Sequence, residues 1–199
     1  MKLVLANLKG GTTKTTSSIY LACAFATDGD TVLIDSDPQG SAMLWAEAAE
    51  TLPFITVSAP SPKVGQIAAD LAQRYRHVII DTPPGHPGIT SGALGVADIA
   101  VLTMTPGSVD LPRFTATAEL VEAAQGTNPS LSGHVLMTKI RRGTRSQRDV
   151  RAALAELDRL PVLDTEIPLR EAIAGNEGEV PDDLAEYKLV HDELIEVAR

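Results

Sequence analysis

Five short, near-continuous apolar runs limit the folds open to this chain. They are Lys2–Asn7, Thr31–Asp35, His77–Asp81, Ile99–Thr103 and His134–Thr138, each bounded by Gly, Pro, Asp or Thr. The segments between them are rich in alanine and carry helical spacing, as in Ile19, Ala22, Cys23 and Ala26. A strand that is apolar at nearly every position must be covered on both faces. A covered parallel sheet with helices on either side meets that requirement. The expected fold class is therefore α/β, a doubly wound and mostly parallel sheet. A sixth, shorter strand is expected at Phe54–Val57, inside the proline-rich piece Pro53–Pro62. No repeat, low-complexity run or long linker divides the 199 residues, so a single domain over 1–199 is expected.

Composition narrows the class. A chain that is 44% hydrophobic and 22% charged has the apolar content for a core, which excludes a disordered or fibrous protein. A single cysteine, Cys23, cannot form an internal bridge. That excludes a disulfide scaffold and fits a reducing, cytosolic compartment. Cys23 itself falls on the buried face of the first helix. No apolar stretch approaches the roughly 20 residues of a bilayer span. The N-terminal run is too short for a secretory signal. The formal charge is −9, but it is unevenly placed. From Lys139 to Arg151 six basic residues accompany one acid, Asp149, for a local charge of +5, which leaves −14 on the rest.

The segment with the most chemical content is Asn7-Leu8-Lys9-Gly10-Gly11-Thr12-Thr13-Lys14-Thr15-Thr16, between the first strand and the first helix. Glycines there let backbone N–H groups turn inward, and a helix N-terminus adds partial positive charge. In such a phosphate loop Lys14 reaches the β- and γ-phosphates of a nucleotide, and Thr15 offers its hydroxyl to Mg²⁺. Gly10 to Thr16 supply the cradle. The strict Walker pattern is not met, because Leu8 and Thr13 occupy its two glycine positions.

Two further boxes follow later strands: Asp35-Ser36-Asp37-Pro38-Gln39-Gly40-Ser41-Ala42, and Asp81-Thr82-Pro83-Pro84-Gly85. Together with the Lys9-Gly10-Gly11-x-x-Lys14-Thr15-Thr16 pattern, they resemble the deviant Walker boxes of the ParA/MinD family of partitioning ATPases, in the family's order. The resemblance runs from residue 2 to about 175. It implies the P-loop NTPase fold, with ATP and Mg²⁺ as cofactors. In open parallel sheets the ligand lies beyond the strand C-termini, where all three boxes fall.

Phosphoryl transfer needs neutralised charge, an aligned water and a held metal. Asp81, at the end of an apolar strand, is expected to hold the metal through water beside Thr15. Asp35, two residues before Asp37 and still at the strand end, reads as a supporting group near the metal. The alternative for both is a turn or cap acid. The resemblance implies that Asp37 positions the attacking water. It also implies that Lys9 reaches the partner's ATP in a nucleotide-sandwich homodimer, so that hydrolysis releases the pair. The catalytic set expected is Lys9, Lys14 and Asp37. Thr13 replaces a usual glycine, so either its backbone is ordinary or the loop is altered. By resemblance, Thr138 and Pro168 lie near adenine. Pro168 can equally be a proline starting a helix.

Arg145, Arg148 and Arg151 recur every three residues on a helix that follows Arg141 and Arg142. These five arginines form a candidate surface for double-stranded DNA, bound without sequence preference and with strong salt dependence. The alternative is a solvated charged face. Arg113, in Val109-Asp110-Leu111-Pro112-Arg113-Phe114, opens another helix with either a surface or a partner role. The resemblance implies a ParB-like or cargo adaptor that stimulates hydrolysis, and location on the nucleoid. The first strand begins at residue 2, so no operator-reading helix-turn-helix is expected. A MinD-like membrane switch would need a basic amphipathic last helix, and Asp182–Arg199 carries six acids and two bases. A weakly hydrolysing nucleotide-binding module is the other alternative.

Overall fold

The computed structural model describes residues 1–106 and 111–198. Six strands alternate with helices: β1 Lys2–Ala6, α1 Lys14–Ala26, β2 Thr31–Asp35, α2 Ser41–Ala48, β3 Ile55–Ser58, α3 Val64–Leu71 and β4 His77–Asp81. They continue with α4 Pro87–Leu94, β5 Ile99–Met104, α5 Leu111–Gln125, β6 Ser132–Met137, α6 Arg145–Leu157, α7 Glu171–Ala174 and α8 Tyr187–Val197. All strand pairs are parallel, in the order β3-β2-β4-β1-β5-β6. The fold class expected from the apolar runs is the one observed.

The reason for those unbroken runs is visible in the packing. Val4 and Ala6 face one apolar cluster with Val32, Ile34, Val78 and Ile80. Leu3 and Leu5 face the other with Leu33, Ile79, Ile19 and Phe25. Successive side chains of a strand alternate between faces, so a sheet covered on both sides is apolar at every position. Tyr187, Val190 and Leu194 of α8 belong to the second cluster, beside α1.

The last helix is shorter than the expected Asp182–Arg199. It starts at Tyr187 because Ala185 has φ 49, outside the helical region, and its N–H donates to Asp183 Oδ1 at 2.8 Å. Ala198 is exposed, and Arg199 lies outside the described residues.

The sheet order decides where the site lies. β2, β4 and β1 are neighbours, so the loops leaving their C-terminal ends sit side by side. β1 is also where the winding reverses, since β5 and β6 lie on its other side.

Candidate functional site

The β1–α1 loop wraps a cavity of about 300 Å³ lined by Gly10 to Thr16, Asp37, Ser41, Pro84 and Lys139. Gly11 has φ 74, a conformation that costs glycine little. Thr13 is also left-handed, with φ 67 and ψ 18, immediately before the first residue of α1. The threonine thus takes the backbone a glycine would take, although it carries a branched Cβ. Its hydroxyl lies 2.9 Å from that of Thr138.

Lys14 opens α1 and is 6% exposed. Its Nζ donates to the Lys9 carbonyl at 3.1 Å. Burial lowers its pKa, while the carboxylates of Asp81 and Asp37 pull the other way. A desolvated ammonium in a cavity wall at a helix N-terminus is a strong attractor for a polyanion.

Asp81 ends β4 and is 1% exposed. Thr15 donates to its Oδ2 at 2.7 Å and Ser18 to its Oδ1 at 3.1 Å. Burial pushes its carboxyl up to about 7, against the opposing hydrogen bond from Thr15. Such a carboxylate gains from a nearby cation. Asp35 and Asp37 divide in role. Asp35 is fully buried, and its two oxygens accept from Asp37 N at 3.0 Å and Met43 N at 2.9 Å. Its carboxylate ties the β2–α2 loop to α2, which is the work of a turn and cap acid. Asp37 is half-buried, accepts from Gln39 N at 2.9 Å and also lines the cavity.

A second cavity of about 190 Å³ adjoins the first and shares Thr13, Thr16 and Lys139 with it. Thr138, Ile167, Pro168, Ile173, Glu177 and Tyr187 form much of its wall. Pro168 does not start a helix: α7 begins at Glu171, and Pro168 instead forms a parallel bridge with Ile140. Thr138 is 1% exposed, and its hydroxyl donates to Met104 O at 3.3 Å and accepts from Thr13 Oγ1.

The basic stripe is uneven. Arg151 donates from Nη2 to Glu166 Oε1 at 2.7 Å, and Arg145 lies 3.6 Å from Asp149. Arg141, Arg142 and Arg148 are exposed and form no ion pair with the described residues. Arg113 lies in the first turn of α5; the preceding Val109 and Asp110 fall outside the described residues. Cys23 is 4% exposed, and burial pushes its thiol up to about 12, so it is a core residue.

Several site residues escaped the sequence reading. Lys139 counted only toward the basic run, yet it borders both cavities and has φ 53. Ser17 and Ser18 are fully buried, and polar residues within an otherwise apolar helix face were a signal that could have found them. Tyr187 closes the second cavity from a chain position 170 residues beyond Ser17, whose Oγ is 2.9 Å from its hydroxyl.

A model of the CobQ/CobB/MinD/ParA nucleotide binding domain matches residues 3–181. The maintenance of carboxysome distribution protein A of Halothiobacillus neapolitanus is 30% identical over 175 residues, covering 84% of this chain and 79% of its own. The chromosome partitioning protein ParA of Caulobacter vibrioides is 30% identical over 200 residues, with 75% of each covered. Among solved structures, cobyrinic acid a,c-diamide synthase from Mycobacterium smegmatis, with bound ADP and magnesium, has a TM-score of 0.79 at 22% identity. That match covers 98% of this chain and 93% of the other, and it shows a shared fold.

Proposed function

The chain belongs to the CobQ/CobB/MinD/ParA nucleotide-binding family, and we propose that it acts there as a ParA-type ATPase that pairs on ATP and positions DNA or another cargo. The observation that carries this reading is the loop-lined cavity with Lys14 buried in its wall and Asp37 also lining it.

The residues fit ATP with Mg²⁺. Among the described residues no cluster of three His, Cys, Asp or Glu side chains could hold a metal alone. Mg²⁺ needs no such cage. It is held by one or two protein oxygens, phosphates and water, and the Thr15 hydroxyl beside the Asp81 carboxylate supplies hard oxygen donors. When bound, the ion neutralises charge on the β- and γ-phosphates. Thr15 would be its direct protein ligand, with Asp81 behind it and Asp35 organising the adjoining loop.

The chain's own groups then divide the work. The N–H groups from Gly10 to Thr16 receive the phosphates, and Lys14 balances their charge. Asp37 orients the water that attacks the terminal phosphoryl group. Thr138 and Pro168 border the base, Thr138 as a packed wall because its hydroxyl is already engaged. Lys9 extends toward the nucleotide of a second copy, so the homodimer lasts only while triphosphate is present.

Arg141, Arg142 and Arg148 favour a DNA-facing surface, doubled in the dimer. Arg145 and Arg151 contribute less, being partnered by acids. An adaptor that stimulates hydrolysis, and residence on the nucleoid, complete the reading. A membrane-switch role is disfavoured because Tyr187, Val190 and Leu194, the apolar face of α8, are buried in the core. Among the described residues no helix is long and apolar enough to cross a membrane.

The test is phosphate release with and without Mg²⁺, together with light-scattering mass with and without a non-hydrolysable ATP analogue. Mg²⁺-dependent release and a doubling of mass are expected, with the doubling lost in Lys9→Ala. Nucleotide binding without release would support the weakly hydrolysing module instead.

A further inference from the structure

The backbone of Lys9 is clamped at both ends. Asn7, the first residue after β1, is 4% exposed. Its Nδ2 donates to the Thr103 carbonyl on the neighbouring strand β5 at 2.7 Å. Its Oδ1 accepts the Lys9 N–H at 2.8 Å. One side-chain amide therefore joins the turn that carries Lys9 to the C-terminal end of the interior strand β5. On the other side, the Lys9 carbonyl accepts from Lys14 Nζ at 3.1 Å and Thr12 Oγ1 at 3.3 Å. The preceding N–H, that of Leu8, is held by Thr117 Oγ1 of α5 at 3.1 Å.

This arrangement exceeds what phosphate binding requires. The cradle begins at Gly10, and neither Asn7 nor Leu8 lines the cavity. A lysine that serves only its own site can be steered by the phosphate it meets. One that must cross to a second molecule needs a fixed root, because side-chain and backbone freedom left at the root is lost on association. Asn suits this position. Its amide supplies a donor for a strand-end carbonyl and an acceptor for a turn N–H at the same time, and both partners are buried enough to need satisfying.

We propose that Asn7 is a positioning residue for Lys9, fixing the direction from which the lysine reaches the second subunit's nucleotide. This rests on the sandwich-dimer reading given above. Asn7 acts through Lys9 and does not touch nucleotide within its own subunit.

The test is a double-mutant cycle on the full chain with Asn7→Ala, Lys9→Ala and the pair. Two quantities are read: affinity for a fluorescent ATP analogue under conditions that keep the chain monomeric, and the self-association constant with a non-hydrolysable analogue. Asn7→Ala is expected to leave the first within about 3-fold and weaken the second by about tenfold or more, the scale of a lost buried hydrogen-bond pair. In the Lys9→Ala background, read at a protein concentration raised until residual association is measurable, the same change is expected to have no further effect on association. Asn7→Asp keeps the acceptor for Lys9 N–H but sets a carboxylate against the Thr103 carbonyl. It is expected to fall with Asn7→Ala, whereas Asn7→Gln places the amide one methylene too far and should rescue neither.

Effects of Asn7→Ala that add to those of Lys9→Ala would overturn the proposal. So would equal losses of nucleotide affinity and association, which indicate a merely structural role. An Asn7→Ala chain that associates like the parent overturns it as well. A parent chain whose mass ignores the analogue overturns the dimer reading itself, and this inference with it.

Discussion

Thr13 and Thr138 are hydrogen-bonded through their hydroxyls at 2.9 Å, which ties the last residue before α1 to the end of β6, 125 residues further along the chain. The bond explains how a β-branched residue is held at φ 67. Left-handed backbone costs such a residue about 1–3 kcal/mol, and a partly buried hydrogen bond returns about 1 kcal/mol of it.

Substituting Thr13 separates the two effects. Thr13→Val keeps the shape and the strain but loses the hydroxyl, so it should destabilise by about 1–2 kcal/mol. Thr13→Gly removes strain and hydroxyl together and adds chain entropy, so its stability should lie within about 1 kcal/mol of the parent. Urea denaturation of the three chains measures both. A valine variant as stable as the parent would show that the hydroxyl pair contributes nothing.

Asp81 is a buried carboxylate whose charge the protein alone does not balance, with its carboxyl pushed up to about 7. Its raised folded pKa means that the folded protein takes up this proton first as pH falls. The cost of the charge is therefore full above pH 7 and relieved as pH drops toward the ordinary carboxylate range. Asp81→Asn should raise the melting temperature at pH 8, at about 2–4 °C per kcal/mol gained. That advantage should shrink below pH 7. The same variant should lose most of the extra stabilisation that Mg²⁺ and ATP confer together. Thermal scans across pH, with and without both ligands, check each part.

The arginines of α6 should not behave alike. Arg148 has no acidic partner among the described residues, so Arg148→Ala should weaken binding to random duplex and reduce the salt slope by about 1. Arg151 is already held by Glu166, whose side chain is 12% exposed. Arg151→Ala should change the slope less and instead cost about 1 kcal/mol of stability. Titrations at several salt concentrations, paired with denaturation curves, distinguish the two. Equal slopes for both variants would remove the distinction.

His77 gives the stability an acid limb. It is 3% exposed and packs on Phe25 with ring centroids 5.0 Å apart; among the described residues neither ring nitrogen has a hydrogen-bond partner, although Nε2 lies 3.4 Å from Asp28 Oδ2. Burial depresses its pKa below 6.5; the N-terminal ammonium and Arg76 add to this, and Asp28 opposes it. With the folded pKa below the unfolded one, the unfolded chain takes up the proton first. The contribution of His77 is complete above about pH 6.5 and is lost as pH falls toward the folded value. His134 is depressed in the same direction by burial, while Asp81 runs the opposite way. The informative quantity is thus the difference between His77→Phe and the parent, which should move in favour of the variant between pH 7 and pH 5. A constant difference across that range would exclude the mechanism.

Local pattern alone determined the alternation of strands and helices and the placing of the phosphate loop between β1 and α1. It did so because apolar runs, glycines and a strand-to-helix junction leave their marks within ten residues of one another. Lys14, Thr15, Asp37 and Asp81 were legible for the same reason: each stands in a box at a strand end, and parallel strands bring those ends together. Helix boundaries were less legible. The start of α8 depends on one left-handed residue, Ala185, which helical spacing does not reveal.

Only the tertiary structure decided which polar groups are already spent. Asp35 read as a supporting carboxylate near the metal, and only the fold shows that its oxygens already accept from the amides of Asp37 and Met43. Arg151 looked like a free cation until Glu166 came to meet it, and Asn7 looked like the end of a strand until it was seen to span from Thr103 to Lys9. A hydrogen bond or ion pair is satisfied by whatever the fold brings within 3 Å, and partners tens of residues away leave no periodic trace in the chain.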